Sequence, residues 1–252
     1  MFTKHSKTGK FDEPRLYHCT KYEALISILG SKQFLPSYCL ERASFMEEYP
    51  EGAYAMVCFA DLLRDEVERH MVSFHADSYI VMNKQWAIRQ FIAPVLYYVN
   101  GSIPSATLKA WLLKLVEQKD EDEMNDKDKR IFNATNMFVP YMNQYEGEYY
   151  DKKDNKFSDN KRTFYLEREW RWCPMVENEE AYYLSKEDYL NKEKREIELT
   201  KLRKKYALNL EWKDIIEIGV SSVCQAIDII QLCARTYSLQ NILVYRKIKF
   251  CR

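Results

Sequence analysis

The chain predicts one α+β domain. Strand-like and helix-like segments interleave, no internal repeat period emerges, and no linker divides the 252 residues. A chain of this length can bury a substantial core, and its 46% apolar content is that of an ordinary globular protein.

"LYHCT" opens the first predicted strand, Arg15 to Cys19, after Pro14. Ala24, Leu25, Ile28 and Leu29 then fall at helical spacing, and Gly30 is the expected helix end. "QFLPS" reads as extended, and Tyr54 to Asp61 as a buried strand of aromatic and β-branched residues. "LLRDEVERHMVSFH" is helix-like, "SYIVMNKQW" strand-like, and "APVLYYV" strand-like again from Pro94. Ser105 is the expected cap of a helix whose Leu108, Trp111, Leu112 and Leu115 form one apolar stripe. Two polar stretches, near 117–130 and 151–162, read as loops. "TFYLEREWRWCP" alternates as a strand up to Pro174, and Ser185 with Asp188 resembles a capping box for a charged helix reaching Tyr206. "DIIEIGVSS", a helix over "VCQAIDIIQLCARTYS" and "NILVYRKIK" complete the chain.

Composition excludes several function classes. Thirty-eight basic and thirty-eight acidic side chains cancel, so no broad nucleic-acid face is indicated. Six glycines and no G-x-G-x-x-G or G-x-x-x-x-G-K-[ST] argue against the usual phosphate cradles. Seven scattered cysteines without a C-x-x-C pair disfavour both a disulfide framework and structural zinc. The Lys-rich start and the lack of a long apolar run predict a soluble cytoplasmic protein with no membrane or metal partner.

Two features carry candidate chemistry. His18 lies inside an apolar strand, where a buried imidazole must have both nitrogens satisfied or hold a ligand; by default it is a satisfied core residue. In "EREWR", period two puts Glu167, Glu169 and Arg171 on one strand face and Arg168, Trp170 and Trp172 on the other. The default leaves the acids in solvent over a tryptophan core, whereas in a cleft Glu169, held ionised by Arg168 or Arg171, could stabilise a developing cation. His70 and His75 miss the spacing that puts two ligands on one helix face, and no G-x-S-x-G elbow occurs.

"LYHCT" with "ALISILGSKQFLPS", "MVCFAD", "SYIVMNKQWAIRQFIAPVLYYV", "NQYEG" and "EREWRWCP", in that order, resemble the AbiGi-type abortive phage-resistance proteins over roughly residues 15 to 175. "LYHxT" leading into a helix is also similar to the first motif of the ADP-ribosyltransferase fold. That resemblance implies a split β-sandwich with peripheral helices spanning 1–252 and NAD as substrate. It implies that His18, accompanied by Thr20, touches the nicotinamide ribose, that Phe59 or Tyr17 lines the pocket, and that Glu169, with Glu167 beside it, steers the oxocarbenium-like transition state.

The function so implied is antiphage defence by transfer of ADP-ribose from NAD to a macromolecule, protein or nucleic acid. The alternative is a non-catalytic antitoxin or regulatory module that binds a cognate toxin. Hydrolysis of NAD or of an ADP-ribosylated product is a third reading. The transferase requires His18 and Glu169 on adjacent strands, converging on one pocket.

Overall fold

A computed structural model describes residues 15–41, 51–117, 125–151, 156–174 and 182–251. The first half contains β1 (Arg15–Thr20), α1 (Tyr22–Ser31), β2 (Gln33–Phe34), β3 (Ser37–Glu41), β4 (Gly52–Leu62), α2 (Val67–Ser73), β5 (Ser78–Met82), α3 (Lys84–Arg89), β6 (Ala93–Pro94), β7 (Leu96–Tyr98) and α4 (Ile103–Glu117). The second half contains α5 (Asp126–Phe138), β8 (Met142–Gln144), β9 (Gly147–Asp151), β10 (Lys156–Arg162), β11 (Glu169–Trp172), β12 (Tyr183–Ser185) and α6 (Lys186–Leu190). It closes with α7 (Lys192–Lys205), β13 (Leu208–Asn209), β14 (Ile215–Val220), α8 (Val223–Thr236), α9 (Asn241–Tyr245) and β15 (Ile248–Phe250).

The α+β class is as expected. The main sheet runs β15-β14-β5-β1-β4-β11-β6, and β3 and β12 also pair with β4. The eleven-residue β4 therefore forks the sheet: Gly52 to Met56 pair with β3, whereas Ala60 to Leu62 pair with β1. On its other edge, β12 takes Gly52 to Tyr54 and β11 takes Val57 to Ala60. Past Tyr17 and Ala60, β1 and β4 no longer pair, which opens the sheet between His18 and Cys58.

Register decides which side chains share a face, because directly opposed residues point the same way. Leu16, Phe59, Ile80 and Ile218 enter the main core, which α1 and α8 cover with Leu25, Leu29, Ile229 and Cys233. Tyr17, Ala60, Tyr79 and Val81 face the other way, onto Val67 and Met71 of α2. Gly219 is opposite Tyr79, and a Cβ there would sit 2.1 Å from the ring, so only glycine lets that ring lie across the strand. The Tyr79 hydroxyl then donates to the buried Glu217 carboxylate at 2.7 Å.

Several boundaries differ from those the pattern predicts. α1 passes Gly30 and ends where Lys32 turns left-handed at φ 59°, its N–H bonding the Ile28 carbonyl. "SYIVMNKQW" is two elements, because the Asn83 side chain accepts from the Gln85 N–H and starts α3. "APVLYYV" splits at Val95, whose N–H bonds the Glu169 carbonyl and leaves β6 and β7 in separate sheets. α4 begins at Ile103, ahead of Ser105. The loop expected near 151–162 is half of a β9–β10 hairpin with a register shift between Phe157 and Lys161, and α5 takes up the end of the 117–130 stretch. Residues 118–124 and 152–155 of those two stretches lie outside the described residues.

"TFYLEREWRW" is a strand only from Glu169. Phe164–Glu167 forms a 3-10 turn, and Arg168 takes φ 42° as its guanidinium bonds the Asp61 carbonyl and the Glu66 carboxylate. Glu167 is therefore not in strand phase with Glu169. Trp170 and Trp172 do face the core but are only partly buried against it. Trp86 of α3 is the fully buried tryptophan, with its indole N–H on the Asn209 carbonyl at 3.1 Å.

Emptying the Trp86 site should cost about 3–5 kcal/mol. Trp170→Ala, at a half-open position, should cost only about 1–3 kcal/mol. Urea unfolding of the two variants checks the order, and a larger loss at Trp170 would contradict this packing.

Candidate functional site

A cleft of about 710 Å³ opens on the face of the sheet that carries Glu169. β4, β11 and the end of β3 form its floor. One wall is the end of α2, and the other is the β9–β10 hairpin with the turn before β11.

Arg171 is the charge at its centre. The side chain is 2% exposed, and its guanidinium donates to the Pro140 carbonyl at 2.6 Å, the Glu169 carboxylate at 2.7 Å and the Glu41 carboxylate at 3.1 Å. Burial works against the cation, but Glu169 and Glu41 outweigh it and hold Arg171 firmly protonated. Glu169 is fixed along its backbone as well, because its N–H donates to the Tyr97 hydroxyl at 2.9 Å and its carbonyl accepts from Val95 at 2.8 Å.

Three carboxylates crowd this cation. Burial pushes Glu167 up to about 8, with Glu169 adding to the rise while Arg162 and Arg171 oppose it. Glu41 is pushed up to about 7, again by burial first, with Arg171 opposing and Glu169 adding. Arg162 is 3.5 Å from Glu167, and its guanidinium lies 4.1 Å from the Tyr149 ring centre and 5.1 Å from that of Phe74. His70, 4.5 Å from Phe74 between ring centres, is pushed down to about 4 by burial and is therefore a neutral imidazole.

The residues expected in one pocket are only partly brought together. His18 and Glu169 both line the cleft, but β4 separates their strands, which corrects the expected adjacency. Register puts Glu169 on the face of Ala60 and Tyr17, whereas His18 stands opposite Ile80 on the core-facing phase. The imidazole sits in the opening between β1 and β4, with Nδ1 2.8 Å from the Cys58 carbonyl oxygen and its ring centre 5.1 and 5.5 Å from those of Phe34 and Phe59. Burial lowers its pKa, and the Cys58 carbonyl only partly offsets this. One ring nitrogen is thus bonded within the chain and the ring packs on the core aromatics.

Tyr17 and Phe59 line the cleft, whereas Thr20 is at the far end of β1, opposite Ser78, and does not. The alternation of "EREWR" already pairs Arg171 with Glu169. Glu41 gives no signal in the sequence, because "SYCLER" carries no motif, and His70 stands out there only by its spacing from His75. Among the described residues no group of three His, Cys, Asp or Glu is arranged to hold a metal, and no helix is long and apolar enough to cross a membrane.

A family model described as "Putative abortive phage resistance protein AbiGi, antitoxin" matches residues 32–221. The chain belongs to the AbiGi family. The "Abortive phage resistance protein AbiGi" of Lactococcus lactis subsp. cremoris is 25% identical over 252 residues, covering 86% of this chain and 98% of that protein. No solved structure matches the chain. The span matched by the AbiGi model contains Glu41, His70, Arg162, Glu167, Glu169 and Arg171 and omits Tyr17, His18 and Thr20.

The raised carboxyls set a sign for the pH dependence of stability. An unfolded chain releases these protons near the ordinary value of 4.5, whereas the folded one keeps them up to about 7 and about 8. The native state therefore binds more protons over that interval, and stability falls as pH rises through it. The lowered His70 acts oppositely, but only below its ordinary 6.5. The melting temperature should thus fall between pH 6.5 and 8.5, and Glu167→Gln should flatten the fall. Differential scanning calorimetry across that range checks it, and a flat wild-type profile would contradict the assignment.

Proposed function

We propose that this chain is the antitoxin of an abortive-infection pair, a non-catalytic module that restrains a cognate toxin by direct binding. The observation that carries this reading is the commitment of the candidate acid: the Glu169 carboxylate is bound to a buried guanidinium that it shares with Glu41. A carboxylate that stabilises a developing ribosyl cation must have its charge available to the substrate. The candidate ribose contact, His18, is phased to the other face of the sheet and packed against Phe34 and Phe59. The description of the matched family as antitoxin supports the same reading. Exposed apolar side chains on one stretch, Phe91 at 84% and Ile103 at 83% with Leu96 and Val99 between them, offer the kind of surface a protein partner covers.

Transfer of ADP-ribose from NAD to a protein or nucleic-acid acceptor is the second reading. It is favoured by the cleft itself, whose volume suits a small-molecule substrate and which has carboxylates at its floor.

One experiment separates the two. The chain is co-expressed with the product of the neighbouring gene and purified, and the purified chain is incubated with labelled NAD and lysate. The antitoxin reading expects a stoichiometric complex and no labelled acceptor. Phe91→Asp with Ile103→Asp should release the partner while leaving the melting temperature unchanged. Labelling that falls by about 10²–10³ in Glu169→Gln would establish the transferase instead.

A further inference from the structure

We infer that Asn100 is a self-modifying site: its side-chain amide closes onto the Gly101 backbone nitrogen and is lost as ammonia, leaving a carboxylate on the exposed apolar stretch between Phe91 and Ile103. Control of partner binding by this change rests on the antitoxin reading. The chemistry does not.

The sequence supplies the reactive pair once. Asn100 is the only asparagine followed by glycine, and after each of the others the next residue carries a Cβ that hinders approach to its backbone nitrogen.

The structure presents that pair in an open turn. The Ser102 N–H bonds the Val99 carbonyl at 3.1 Å, Gly101 takes φ 78° and Asn100 is not left-handed, which together define a type II turn with glycine at its third position. Both residues are exposed, and a Cβ built on Gly101 would meet nothing within 4 Å. No backbone carbonyl among the described residues holds the Gly101 N–H. That nitrogen is open to lose its proton and attack.

The step needs no reagent but water. The deprotonated Gly101 nitrogen adds to Asn100 Cγ, the bond from Cγ to the side-chain nitrogen breaks, and ammonia leaves with the proton that Gly101 gave up. A five-membered succinimide remains. Water opens it at either carbonyl, which gives aspartate or isoaspartate.

The surroundings make the product matter. No acidic residue occurs between Asp77 and Glu117, so the new carboxylate is the first negative charge in the part of the chain that exposes Phe91, Leu96, Val99 and Ile103. An unpaired charge enclosed by an apolar partner costs far more than an amide in the same place. Isoaspartate also threads the main chain through the former side chain. The turn that joins β7 to α4 then gains one methylene, which displaces Ile103 relative to Val99.

The test warms the purified chain at mildly alkaline pH beside a synthetic peptide of residues 97–106, and maps the tryptic peptide Gln90–Lys109 for conversion of amide to acid and for isoaspartate. Conversion at Asn100 within about tenfold of the peptide's rate is expected, because an exposed turn opens at little cost. Asn100→Gln, which would have to close a disfavoured six-membered ring, should stay unconverted. Fresh wild type, aged wild type, Asn100→Asp and aged Asn100→Gln are then titrated with the product of the neighbouring gene. Aged wild type and Asn100→Asp should bind at least about tenfold more weakly than the fresh chain, with melting temperatures unchanged, and aged Asn100→Gln should match the fresh chain. Conversion more than about a hundredfold slower than in the peptide, or equal binding by Asn100→Asp and fresh wild type, would overturn the inference. If the fresh chain binds nothing, the antitoxin reading falls by itself, and conversion in the peptide map still decides the site.

Discussion

The Arg171 guanidinium, 2% exposed, bonds at once to the carbonyl of Pro140 and to the carboxylates of Glu41 and Glu169. Those partners come from three separate stretches: the turn after α5, the end of β3, and β11 itself. An ion taken from water into a protein interior loses several kcal/mol of solvation, so the cation is tolerable only while these partners stand in place. The constraint also runs in reverse. Glu41 and Glu169 can remain in a half-dry cleft only because Arg171 is there, and Glu167, one step further away, is the carboxyl pushed furthest up, to about 8.

β4 makes this meeting geometrically feasible. It pairs with β3 and β12 at one end and with β1 and β11 at the other, so β4 carries both halves of the forked sheet. Beyond Tyr17 and Ala60 the pairing with β1 lapses, and the freed edge is taken up by the His18 side chain on the Cys58 carbonyl. That interaction answers why a histidine stands in an apolar strand: it caps a gap between two strands that no longer bond each other. The Lys32 and Arg168 left-handed turns likewise redirect the chain just before β2 and just before β11.

What the sequence made legible follows the strength of local periodicity. β1, α1, β14 and α8 were readable because their apolar spacing matches one buried face, as Leu25, Ile28 and Leu29 of α1 show. The family was readable from ordered motifs, and the match over residues 32–221 bears it out. The β9–β10 hairpin was not, because its strands are short and polar and its register shifts midway. The Glu167 turn was not, because Arg168 is held left-handed by Asp61 and Glu66, over a hundred residues upstream, and no local signal records that. Glu41 was missed for the same reason: its importance is a tertiary fact, supplied by Arg171. The clean alternation of "EREWR" put Glu169 and Arg171 on one face correctly and misplaced Glu167 and Arg168, which the turn removes from the strand.

The structural role of the Arg171 node is tested most directly by the unfolding free energy of Arg171→Met beside that of the triple variant Arg171→Met, Glu41→Gln, Glu169→Gln, both in urea at pH 7. The single substitution strands two carboxylates and should lose about 3–5 kcal/mol, whereas the triple variant, which removes the charges together, should recover most of that loss. A single variant within about 1 kcal/mol of wild type, or a triple variant no more stable than the single one, would contradict the idea that this buried ion network holds the cleft together.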